Sequence, residues 1–507
     1  MLVVTAAQMR DIDREAIERR GIPSLDLMES AGRAVVRAIA EQRSLGGIST
    51  VVVAGSGNNG GDGCVVAREL HALGARATLF LAAPRERMSP DARSELESAD
   101  RAGVVVRDLS TAEALGAHEE ALLGADLLVD ALLGTGTRGE VLGHARAVIE
   151  TMSRARGLRV AVDVPSGLCA DTGEPLGCSF PANLTVTFGY PKVGLVGSPG
   201  FSRAGRLVVA DIGFPEGIAA ERGVRLELLE EAAIRAMLPK RHPLAHKGSV
   251  GHLLLVAGGP GKLGAAVLAA EGAMRTGVGL CTVATAPAVL PALSSRLLEA
   301  MAEPIDGWAS LRVLCEGKRA VGFGPGVPES PEMGVLLDRL LRESSVPVVV
   351  DAGGLNLLAA RPELLDPKER RAQLALTPHP GEAARLGRTT VAEIQRDRVG
   401  WAREFANRHG VHVALKGART VVAAPDGRAW INPTGNAGMA SGGMGDVLLG
   451  VVGSLLCQEV PLPDALTAAV YVHGRAGDLA KERRGEMGLV ARDVVESLPV
   501  VLAGWGR

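Results

Sequence analysis

The sequence of 507 residues is poor in aromatic side chains, with 4 Trp, 2 Tyr and 7 Phe. Proteins that bind single-stranded nucleic acid stack bases on aromatic rings, so this scarcity argues against such a platform. The chain also lacks an excess of either charge, since 55 Lys and Arg stand against 57 Asp and Glu. A net charge of −2 gives no simple electrostatic footprint for nucleic acid or an anionic membrane. We therefore predict small-molecule partners, no nucleic acid and no membrane.

Cysteine is scarce as well, and no Cys-x-x-Cys pair occurs. Scattered cysteines are typical of free thiols in a reducing compartment, and they argue against a disulfide framework or a zinc site. The first residues carry no basic leader, which argues against a signal peptide. The uncharged stretch 276–295 is interrupted by glycines and prolines, so we predict a strand, a turn and a helix start rather than a membrane span. Together these features predict a cytoplasmic protein.

Glycine, by contrast, is abundant. It makes up 65 of the 507 residues, nearly twice the share of about 7% that is usual. Because a single core rarely exceeds about 300 residues, the length predicts two domains. Short apolar runs alternate with helical stretches, which predicts an α/β fold with mostly parallel sheets. A change in composition over 213–243 marks the junction, and we place the boundary between residues 220 and 221. The charge-rich segment 221–235 is predicted to be helical. The predicted strands are 50–55, 77–82, 127–131, 160–163, 184–188, 207–210, 252–257, 279–284, 320–323, 346–351, 374–377, 411–415 and 420–424.

In the first half, the predicted strand 51–54 runs into the turn Gly-Ser-Gly-Asn-Asn-Gly-Gly-Asp-Gly at 55–63, with a helix from about Cys64. Glycines allow the backbone to approach a phosphate, and a helix N-terminus favours negative charge. The spacing differs from the dinucleotide fingerprint with its acidic ribose clamp, which argues against an ordinary hydride-transfer site. A plain Asn/Gly turn is the structural alternative.

Two further strands of the first half end in aspartate. Asp130 ends one strand, Asp163 ends another, and Ser166 follows. A single Asp in such a place is often a cap or a turn former. Strand ends of one sheet converge in space, however, and Asn59, Asp130 and Ser166 offer only oxygen ligands. That set suits a hard cation rather than zinc.

In the second half, the glycine-rich turn 435–445 precedes Asp446 and the apolar stretch 447–456. A glycine turn that opens a helix directs N–H groups at one point and forms an anion hole. Asp446 then stands where it can exchange a proton with a hydroxyl group beside that hole. The structural alternative is a glycine turn in which Asp446 only complements the helix dipole.

These motifs resemble two known families. The segments 9–32, 57–63, 128–140, 162–173 and 185–192 resemble the NAD(P)H-hydrate epimerase domain over about 1–215, although Ser30 stands where that family usually has Asn. The glycine turn before Asp446 resembles the ribokinase-like superfamily. With 246–248, 256–259, 264–266, 322–326, 377–382 and 415–417, the second half is similar to the NAD(P)H-hydrate dehydratase family over about 229–499, with Gly353 in place of a common Asp.

The resemblance implies a Rossmann-like three-layer sandwich at 1–220 and a ribokinase-like α/β domain at 221–507. The first would interconvert the R and S hydrates of NADH and NADPH (NADHX and NADPHX), with Asp163 as catalytic acid or base and Lys192 as a partner for its charge. A lysine on the surface is the alternative for Lys192. K⁺ would be bound by Asn59, Asp130 and Ser166. The residues implied to bind the hydrate here are Asn58, Asn59, Gly60, Gly61, Asp62, Gly134, Thr135, Gly136, Thr137, Arg138, Gly139, Glu140 and Asp163.

The second domain would dehydrate the S form with ADP and Mg²⁺, and Asp446 would be its catalytic base. The residues alone do not separate ADP from ATP. The hydrate would contact Ala265, Gly326, His379 and Asp446. The residues implied to bind ADP are Lys416, Gly417, Ala418, Arg419, Thr420, Asn436, Ala437, Gly438, Met439, Ala440, Ser441, Gly442, Gly443, Met444 and Gly445.

Two other functions fit the same motifs. A vitamin or sugar kinase with a fused dinucleotide-binding domain would release a stable phosphorylated product. A first domain that only binds or scaffolds would need none of the carboxylates that this one carries at Asp62, Asp130 and Asp163. The repair enzyme is our preferred hypothesis, and we expect it to form a homo-oligomer.

Overall fold

The computed structural model describes residues 1–506 and contains two compact units, Met1–Leu226 and a second that begins at Glu227. This division lies close to the boundary drawn from the sequence. Among the described residues, no helix has the length and hydropathy needed to cross a bilayer.

The first unit contains one parallel sheet of seven strands in the order β3-β2-β1-β4-β5-β6-β7. Its strands are β1 Ser49–Ala54, β2 Arg76–Leu81, β3 Val105–Asp108, β4 Leu127–Ala131, β5 Leu158–Val162, β6 Leu184–Phe188 and β7 Arg206–Ala210. Its helices are α1 Ala6–Arg14, α2 Ser24–Ala40, α3 Asn58–Ala72, α4 Pro90–Arg101, α5 Ala112–Gly124, α6 Gly143–Met152, α7 Val193–Val196, α8 Phe201–Ala204 and α9 Ile218–Glu221. A π-helical turn, Glu15–Arg19, continues α1.

Both faces of this sheet are covered. Val52 and Ala54 of β1 lie in one apolar cluster, whereas Val51 and Val53 lie in another. Because successive strand residues point to opposite faces, the two clusters are the two helix-covered sides of a single sheet. The predicted three-layer sandwich is thereby confirmed.

The second unit contains a sheet of ten strands in the order β11-β10-β9-β12-β13-β14-β15-β16-β17-β8. Its strands are β8 Leu226–Leu228, β9 His252–Val256, β10 Leu280–Thr285, β11 Met301–Pro304, β12 Ala320–Phe323, β13 Val348–Val350, β14 Leu374–Leu376, β15 His412–Leu415, β16 Val421–Ala423 and β17 Ala429–Ile431. Pairing is parallel from β11 to β15 and antiparallel from β15 to β17.

The helices of this unit surround the sheet. They are α10 Glu231–Met237, α11 Lys247–Val250, α12 Leu263–Arg275, α13 Leu290–Ser294, α14 Trp308–Cys315, α15 Pro331–Glu343, α16 Gly353–Ala360, α17 Pro380–Gly387, α18 Val391–Arg396, α19 Arg398–His409, α20 Met444–Cys457, α21 Leu462–Arg484 and α22 Ala491–Gly504. Helices α12 and α20 pack closely through small residues: a Cβ on Gly450 would lie 2.0 Å from the Ala269 carbonyl oxygen. This packing fixes the position of the glycine turn that precedes α20.

Every predicted strand overlaps an observed one, but the predictions were wrong in two places. The segment 221–235 is not one helix, because β8 interrupts it and Leu229 N–H donates to the Ile431 carbonyl. Helix α3 begins at Asn58 rather than near Cys64. Turn-forming residues concealed that start, and it places the Asn-Asn-Gly-Gly-Asp sequence in the first turns of a helix.

Candidate active sites

The first unit has a cleft of about 600 Å³ at the carboxyl ends of β1 and β4. Strand order reverses between these two strands, and ligands of open α/β sheets bind at such a point. The chain approaches itself closely here: a Cβ on Gly55 would lie 2.0 Å from the Leu132 carbonyl oxygen, and one on Gly60 would lie 2.0 Å from the Gly55 carbonyl oxygen. Only glycine allows α3 to start this close to the strand ends, with its free N–H groups at the cleft.

Most of the predicted hydrate-binding residues of this unit are brought together in that cleft. Its lining includes Asn58, Asn59, Asp62, Gly134, Thr135, Gly136, Thr137 and Asp163. The others lie outside the lining, namely Gly60, Gly61, Arg138, Gly139 and Glu140. Gly61 packs against the Met28 thioether, whereas Arg138 lies 4.0 Å from Asp171. Gly60 and Gly61 therefore allow α3 to pack, and Asn58, Asn59 and Asp62 face the ligand space.

Asp163 and Lys192 form a buried ion pair in the cleft. The Lys192 ammonium, with 1% of its side chain exposed, lies 2.5 Å from Asp163 Oδ1 and also donates to Thr187 Oγ1 and the Phe188 carbonyl. Thr187 Oγ1 donates to the same Asp163 oxygen. Within residues 1–506, Oδ1 accepts all hydrogen bonds to this carboxylate, so Oδ2 is left for a ligand. The prediction that Lys192 balances Asp163 is confirmed, and the surface alternative is wrong.

The backbone at Asp163 is strained, with φ of 61°. A side chain in this left-handed region costs about 1–3 kcal/mol, and such residues concentrate at functional sites. The turn holds the carboxylate at the mouth of the sheet, next to the end of β6, where Asp163 N–H donates to the Val186 carbonyl.

Three more carboxylates line this cleft, Asp62 on α3, Asp13 on α1 and Asp91 on α4. Burial raises the Asp62 pKa well above its usual value, and the charges of Asp163 and Asp13 raise it further. Burial raises the Asp13 pKa to about 6; Lys192 opposes this shift and Asp163 adds to it. The sequence reasoning missed Asp13, because nothing in its local pattern separates it from the exposed Asp11 two positions earlier.

The predicted cation ligands also converge. The Ser166 hydroxyl donates to Asp130 Oδ1 at 2.5 Å, and the Asn59 amide nitrogen donates to the Leu133 carbonyl at 2.9 Å. Asn59 Oδ1 is buried and has no hydrogen-bond partner among the described residues. Burial raises the Asp130 pKa to about 6, against the Ser166 hydrogen bonds. An orphaned amide oxygen among carbonyl, hydroxyl and carboxylate oxygens is a donor set that fits a hard cation.

The second unit has a cleft of about 580 Å³ at the ends of β9 and β12, where its strand order also reverses. The loops after these strands are joined, since Gly258 N–H donates to the Pro325 carbonyl at 2.7 Å. The four residues predicted to contact the hydrate all line this cleft, namely Ala265, Gly326, His379 and Asp446. The structure thus brings together residues from four separate loops and helices.

The start of α20 forms one wall of this cleft. Its N-terminal flanking residue, Gly443, has φ of 91°, and both Gly442 and Gly443 line the cleft. Asp446 lies in the first turn, where burial raises its pKa to about 6; Asp351 and Glu382 raise it and Lys416 lowers it. A carboxylate with this pKa is mostly ionised at neutral pH and still basic enough to accept a proton.

Lys416 lies near two carboxylates, Asp351 and Glu382, and the second of these lines the cleft. Its ammonium lies 2.6 Å from Asp351 Oδ1, and Asp351 is 1% exposed. Ala352, the next residue, has φ of 48°, so the turn that carries Asp351 is strained like the one at Asp163.

The remaining residues predicted to bind ADP lie outside the lining of this cleft. Asn436 caps a 3₁₀ turn, Ala437–Met439, and its amide group donates to Asp478. Met444 is buried, and Gly445 packs against Asp351 and Lys416. Thr420 donates to the Gly417 carbonyl, and Arg419, beside Ala418, donates to the Pro433 carbonyl. Ala440 and Ser441 complete the turn before Gly442.

A polar chain at the rim of the cleft was missed by the sequence reasoning. Asn356 donates to Glu329 Oε1 at 2.6 Å and accepts from the Arg385 guanidinium at 2.9 Å. These three residues line the cleft together with Lys262. They come from separate loops and helices, so no local sequence pattern links them.

Comparison with known proteins matches both units. A family model described as YjeF-related protein N-terminus matches residues 24–194, and one described as NAD(P)H-hydrate dehydratase matches residues 253–500. A bifunctional NAD(P)H-hydrate repair enzyme from Moorella thermoacetica is 42% identical, over 99% of this chain and 97% of its own length. The corresponding enzyme from Escherichia coli is 34% identical, over 97% of this chain and 92% of its own.

Solved structures match the second unit. The ADP/ATP-dependent NAD(P)H-hydrate dehydratase from Bacillus subtilis, co-crystallised with ATP and Mg²⁺, is 36% identical with a TM-score of 0.50, and the match covers 55% of this chain and 98% of that one. A ribokinase-like superfamily protein from Enterococcus faecalis is 22% identical with a TM-score of 0.50, covering 55% of this chain and 96% of that one. The predicted ribokinase-like fold is confirmed.

Proposed function

The chain belongs to the family of bifunctional NAD(P)H-hydrate repair enzymes, and we propose that it restores hydrated NADH and NADPH in two steps, one in each unit. The first unit interconverts the R and S hydrates, and the second dehydrates the S form at the expense of ADP. The observation that carries this proposal is the position of Asp446, a partly buried carboxylate at a glycine-turn helix start, in the same cleft as Ala265, Gly326 and His379.

Asp446 acts as the base of the second unit. Hydroxide is a poor leaving group, and phosphorylation of the substrate hydroxyl converts it into a good one. Asp446 takes the hydroxyl proton as the oxygen attacks the terminal phosphoryl group of ADP. The amides at the start of α20 stabilise the charge on the transferring group. Loss of phosphate then regenerates the dihydronicotinamide.

The glycine turn and the segment after β15 hold the nucleotide. Among the residues proposed to bind the nucleotide, Gly442 and Gly443 line the cleft. The turn at Asn436 is held by hydrogen bonds to the Asp478 carboxylate. The Bacillus subtilis dehydratase, co-crystallised with ATP and Mg²⁺, supports nucleotide use at this fold. We propose ADP as the co-substrate, with ATP as the alternative.

Mg²⁺ would bind beside Asp446. Asp446 and Glu382 both line the cleft, and Mg²⁺ in proteins is commonly held by one or two carboxylates together with substrate phosphates. When bound, the ion neutralises phosphate charge. Lys416 neutralises part of the carboxylate charge that would otherwise repel the nucleotide.

Asp163 is the acid or base of the epimerase, and Lys192 holds it in place. Asp163, whose Oδ2 accepts no hydrogen bond from the described residues, lines a cleft that Asn58, Asn59 and the glycine-rich loop after β4 also line. We propose that this loop and the start of α3 bind the hydrated dinucleotide. K⁺ would be held by Asn59, Asp130 and Ser166, and the orphaned Asn59 oxygen supports that assignment. When bound, K⁺ fixes the loop that follows β4.

We propose a cytoplasmic location, which six free thiols support. The homo-oligomer predicted from the sequence stays a prediction, which sedimentation of the purified chain would test.

The test of the dehydratase uses the S epimer of hydrated NADH, Mg²⁺ and ADP or ATP. The proposal predicts recovery of dihydropyridine absorbance with release of phosphate, and loss of that recovery in Asp446→Asn. A stable phosphorylated product without absorbance recovery would instead identify a kinase and contradict the proposal.

A further inference from the structure

Epimerisation needs two groups that transfer protons, and Asp163 is one of them. Inversion at the hydroxyl-bearing carbon requires the hydroxyl to leave from one face and water to add to the other. An acid must protonate the departing oxygen, and a base must deprotonate the incoming water. Sites that perform both steps commonly use two titratable groups whose environments hold them in different protonation states.

Two carboxylates that line the cleft have no role in the proposed mechanism, Asp91 on α4 and Asp13. Asp13 lies on α1, half-buried, and lines the same cleft as Asp163 and Asp62. Within residues 1–506, the Asp13 carboxylate makes no hydrogen bond or ion pair, whereas the Asp163 carboxylate makes both. Asp13 also precedes residues 24–194, the range matched by the family model for this unit.

The backbone fixes α1 to the Asp163 pair. Val4 pairs with Lys192 in a short parallel bridge: Val4 N–H donates to the Pro191 carbonyl, and Val193 N–H donates to the Val4 carbonyl. Thr5 caps α1 in a capping box with Gln8, and Ala6 N–H donates to Asp171 Oδ1 at 2.6 Å. Asp13 is thus carried by a helix whose start is bound to the backbone of the lysine that pairs with Asp163.

We propose that Asp13 is a second catalytic residue of the epimerase and works with Asp163 as an acid–base pair; this inference rests on the proposed epimerase activity. In the R-to-S direction, Asp13 gives its proton to the hydroxyl oxygen as the carbon–oxygen bond breaks. The lone pair of the adjacent ring nitrogen forms a carbon–nitrogen double bond, and water leaves. A water molecule adds to the opposite face and gives its proton to Asp163. Return of that proton from Asp163 to Asp13 completes the cycle, and the reverse reaction exchanges their roles.

The charges in the cleft support these roles for Asp13 as the acid and Asp163 as the base. Burial and Asp163 raise the Asp13 pKa to about 6, so part of the population keeps its proton near neutral pH. Asp163 contacts the Lys192 ammonium through Oδ1, which leaves Oδ2 as the oxygen that takes the proton from water. The other charged groups that line the cleft are Asp62, Arg10 and Asp91. Because the acid must be protonated, the epimerase rate should fall as pH rises above about 6.

The experiment compares Asp13→Asn with Asp11→Asn in the full-length protein. Asp11 lies on the same helix but is exposed and 3.5 Å from Arg14, so its variant is a matched carboxylate-to-amide control. Conversion of the pure R epimer is followed across pH, and dehydration of the S epimer in the second unit reports on the integrity of each preparation. Asp13→Glu keeps a carboxylate and serves as the conservative variant.

We expect kcat for the R epimer to fall by about 10²-fold or more in Asp13→Asn, with KM little changed, and the decline above about pH 6 to disappear. Asp13→Glu should keep that decline at a reduced rate, and Asp11→Asn should match the wild type. An Asp13→Asn rate within about twofold of the wild type, an unchanged pH profile, or a rise in KM alone would overturn the inference. If the wild type itself fails to convert the R epimer, the proposed epimerase function falls first.

Discussion

The Lys416 ammonium lies 2.6 Å from Asp351 Oδ1 and 3.8 Å from Glu382 Oε2, so one cation serves two buried carboxylates beside the proposed nucleotide site. Both carboxylates also act on Asp446, whose pKa they raise while Lys416 lowers it. The basicity of the proposed catalytic residue is therefore set first by its burial and then by three charged neighbours on different loops and helices.

Replacing Lys416 by an uncharged residue should change both the stability of the second unit and the Asp446 pKa. Lys416→Met leaves two buried carboxylates without a counter-charge. Breaking a fully buried ion pair typically lowers the free energy of unfolding by about 3–5 kcal/mol. The loss should be smaller here, because Lys416 is 20% exposed. The substitution should also shift the pH dependence of dehydration upward, since the Asp446 pKa loses the influence that lowers it. Denaturant unfolding and pH–rate profiles measure both effects, with the exposed Lys368→Met as the control. An unchanged pH profile would contradict the account.

Dehydration itself should depend on Asp446 ionisation. A base works when deprotonated, so the rate of S-epimer dehydration should rise as pH increases through about 6 and level off above it. Asp446→Asn should reduce kcat by at least about 10²-fold. Stopped-time assays of phosphate release at constant ionic strength measure this. A rate that falls over the same pH range would show that Asp446 acts as an acid.

The Asp163–Lys192 pair should couple stability to activity. Lys192→Met leaves the Asp163 carboxylate without its counter-charge; this typically costs about 3–5 kcal/mol of stability in a fully buried pair and less here, because the Asp163 side chain is 14% exposed. Asp163→Asn combined with Lys192→Met should recover part of that loss without recovering epimerase activity. Unfolding curves and R-epimer assays of the two single variants and the double variant complete a mutant cycle. Strict additivity of the stability effects would contradict a direct pair.

Binding of K⁺ has a readout that is independent of activity. A ligand that binds only the folded state raises its stability, so the first unit should melt at a higher temperature in KCl than in NaCl at equal ionic strength. Asn59→Ala removes the orphaned oxygen and should abolish that difference. Equal melting of the wild-type protein in both salts would refute the proposed potassium site.

Gly60 should tolerate no side chain. A Cβ there would lie 2.0 Å from the Gly55 carbonyl oxygen, so Gly60→Ala must displace the start of α3. Overpacking of this kind costs about 1–3 kcal/mol, and R-epimer conversion should fall with it. The control is Gly116→Ala on α5, where a Cβ meets no atom within 4 Å and should stabilise the helix by about 0.5–1 kcal/mol. Equal effects of the two substitutions would contradict the packing argument.

Much of this architecture was predictable from the sequence, because apolar strand runs and glycine-rich turns are local signals. The runs ending at Ala54 and Ala131 identified the two central strands of the first sheet, and the turn before Asp446 identified the wall of the second cleft. Strand ends meet at one edge of a parallel sheet, so predicted residues from distant segments came together.

What the sequence concealed depends on tertiary contacts. Asp13 and Asp11 have the same local pattern, and only packing of α1 beside Lys192 distinguishes them. The hydrogen-bonded residues Glu329, Asn356 and Arg385 come from one loop and two helices that no spacing rule connects. Gly60 belongs to a turn motif by sequence, but the observed start of α3 makes it a packing residue.

The most direct test of whether the first unit epimerises and the second dehydrates measures consumption of each epimer of hydrated NADH separately, with ADP and Mg²⁺ present. The wild type, Asp163→Asn and Asp446→Asn are compared. The account predicts that the wild type consumes both epimers. It predicts that Asp163→Asn consumes the S form and leaves most of the R form, whereas Asp446→Asn interconverts the two and dehydrates neither. Equal slowing of R-epimer and S-epimer consumption in Asp163→Asn, or continued dehydration in Asp446→Asn, would contradict the proposed roles of the two residues.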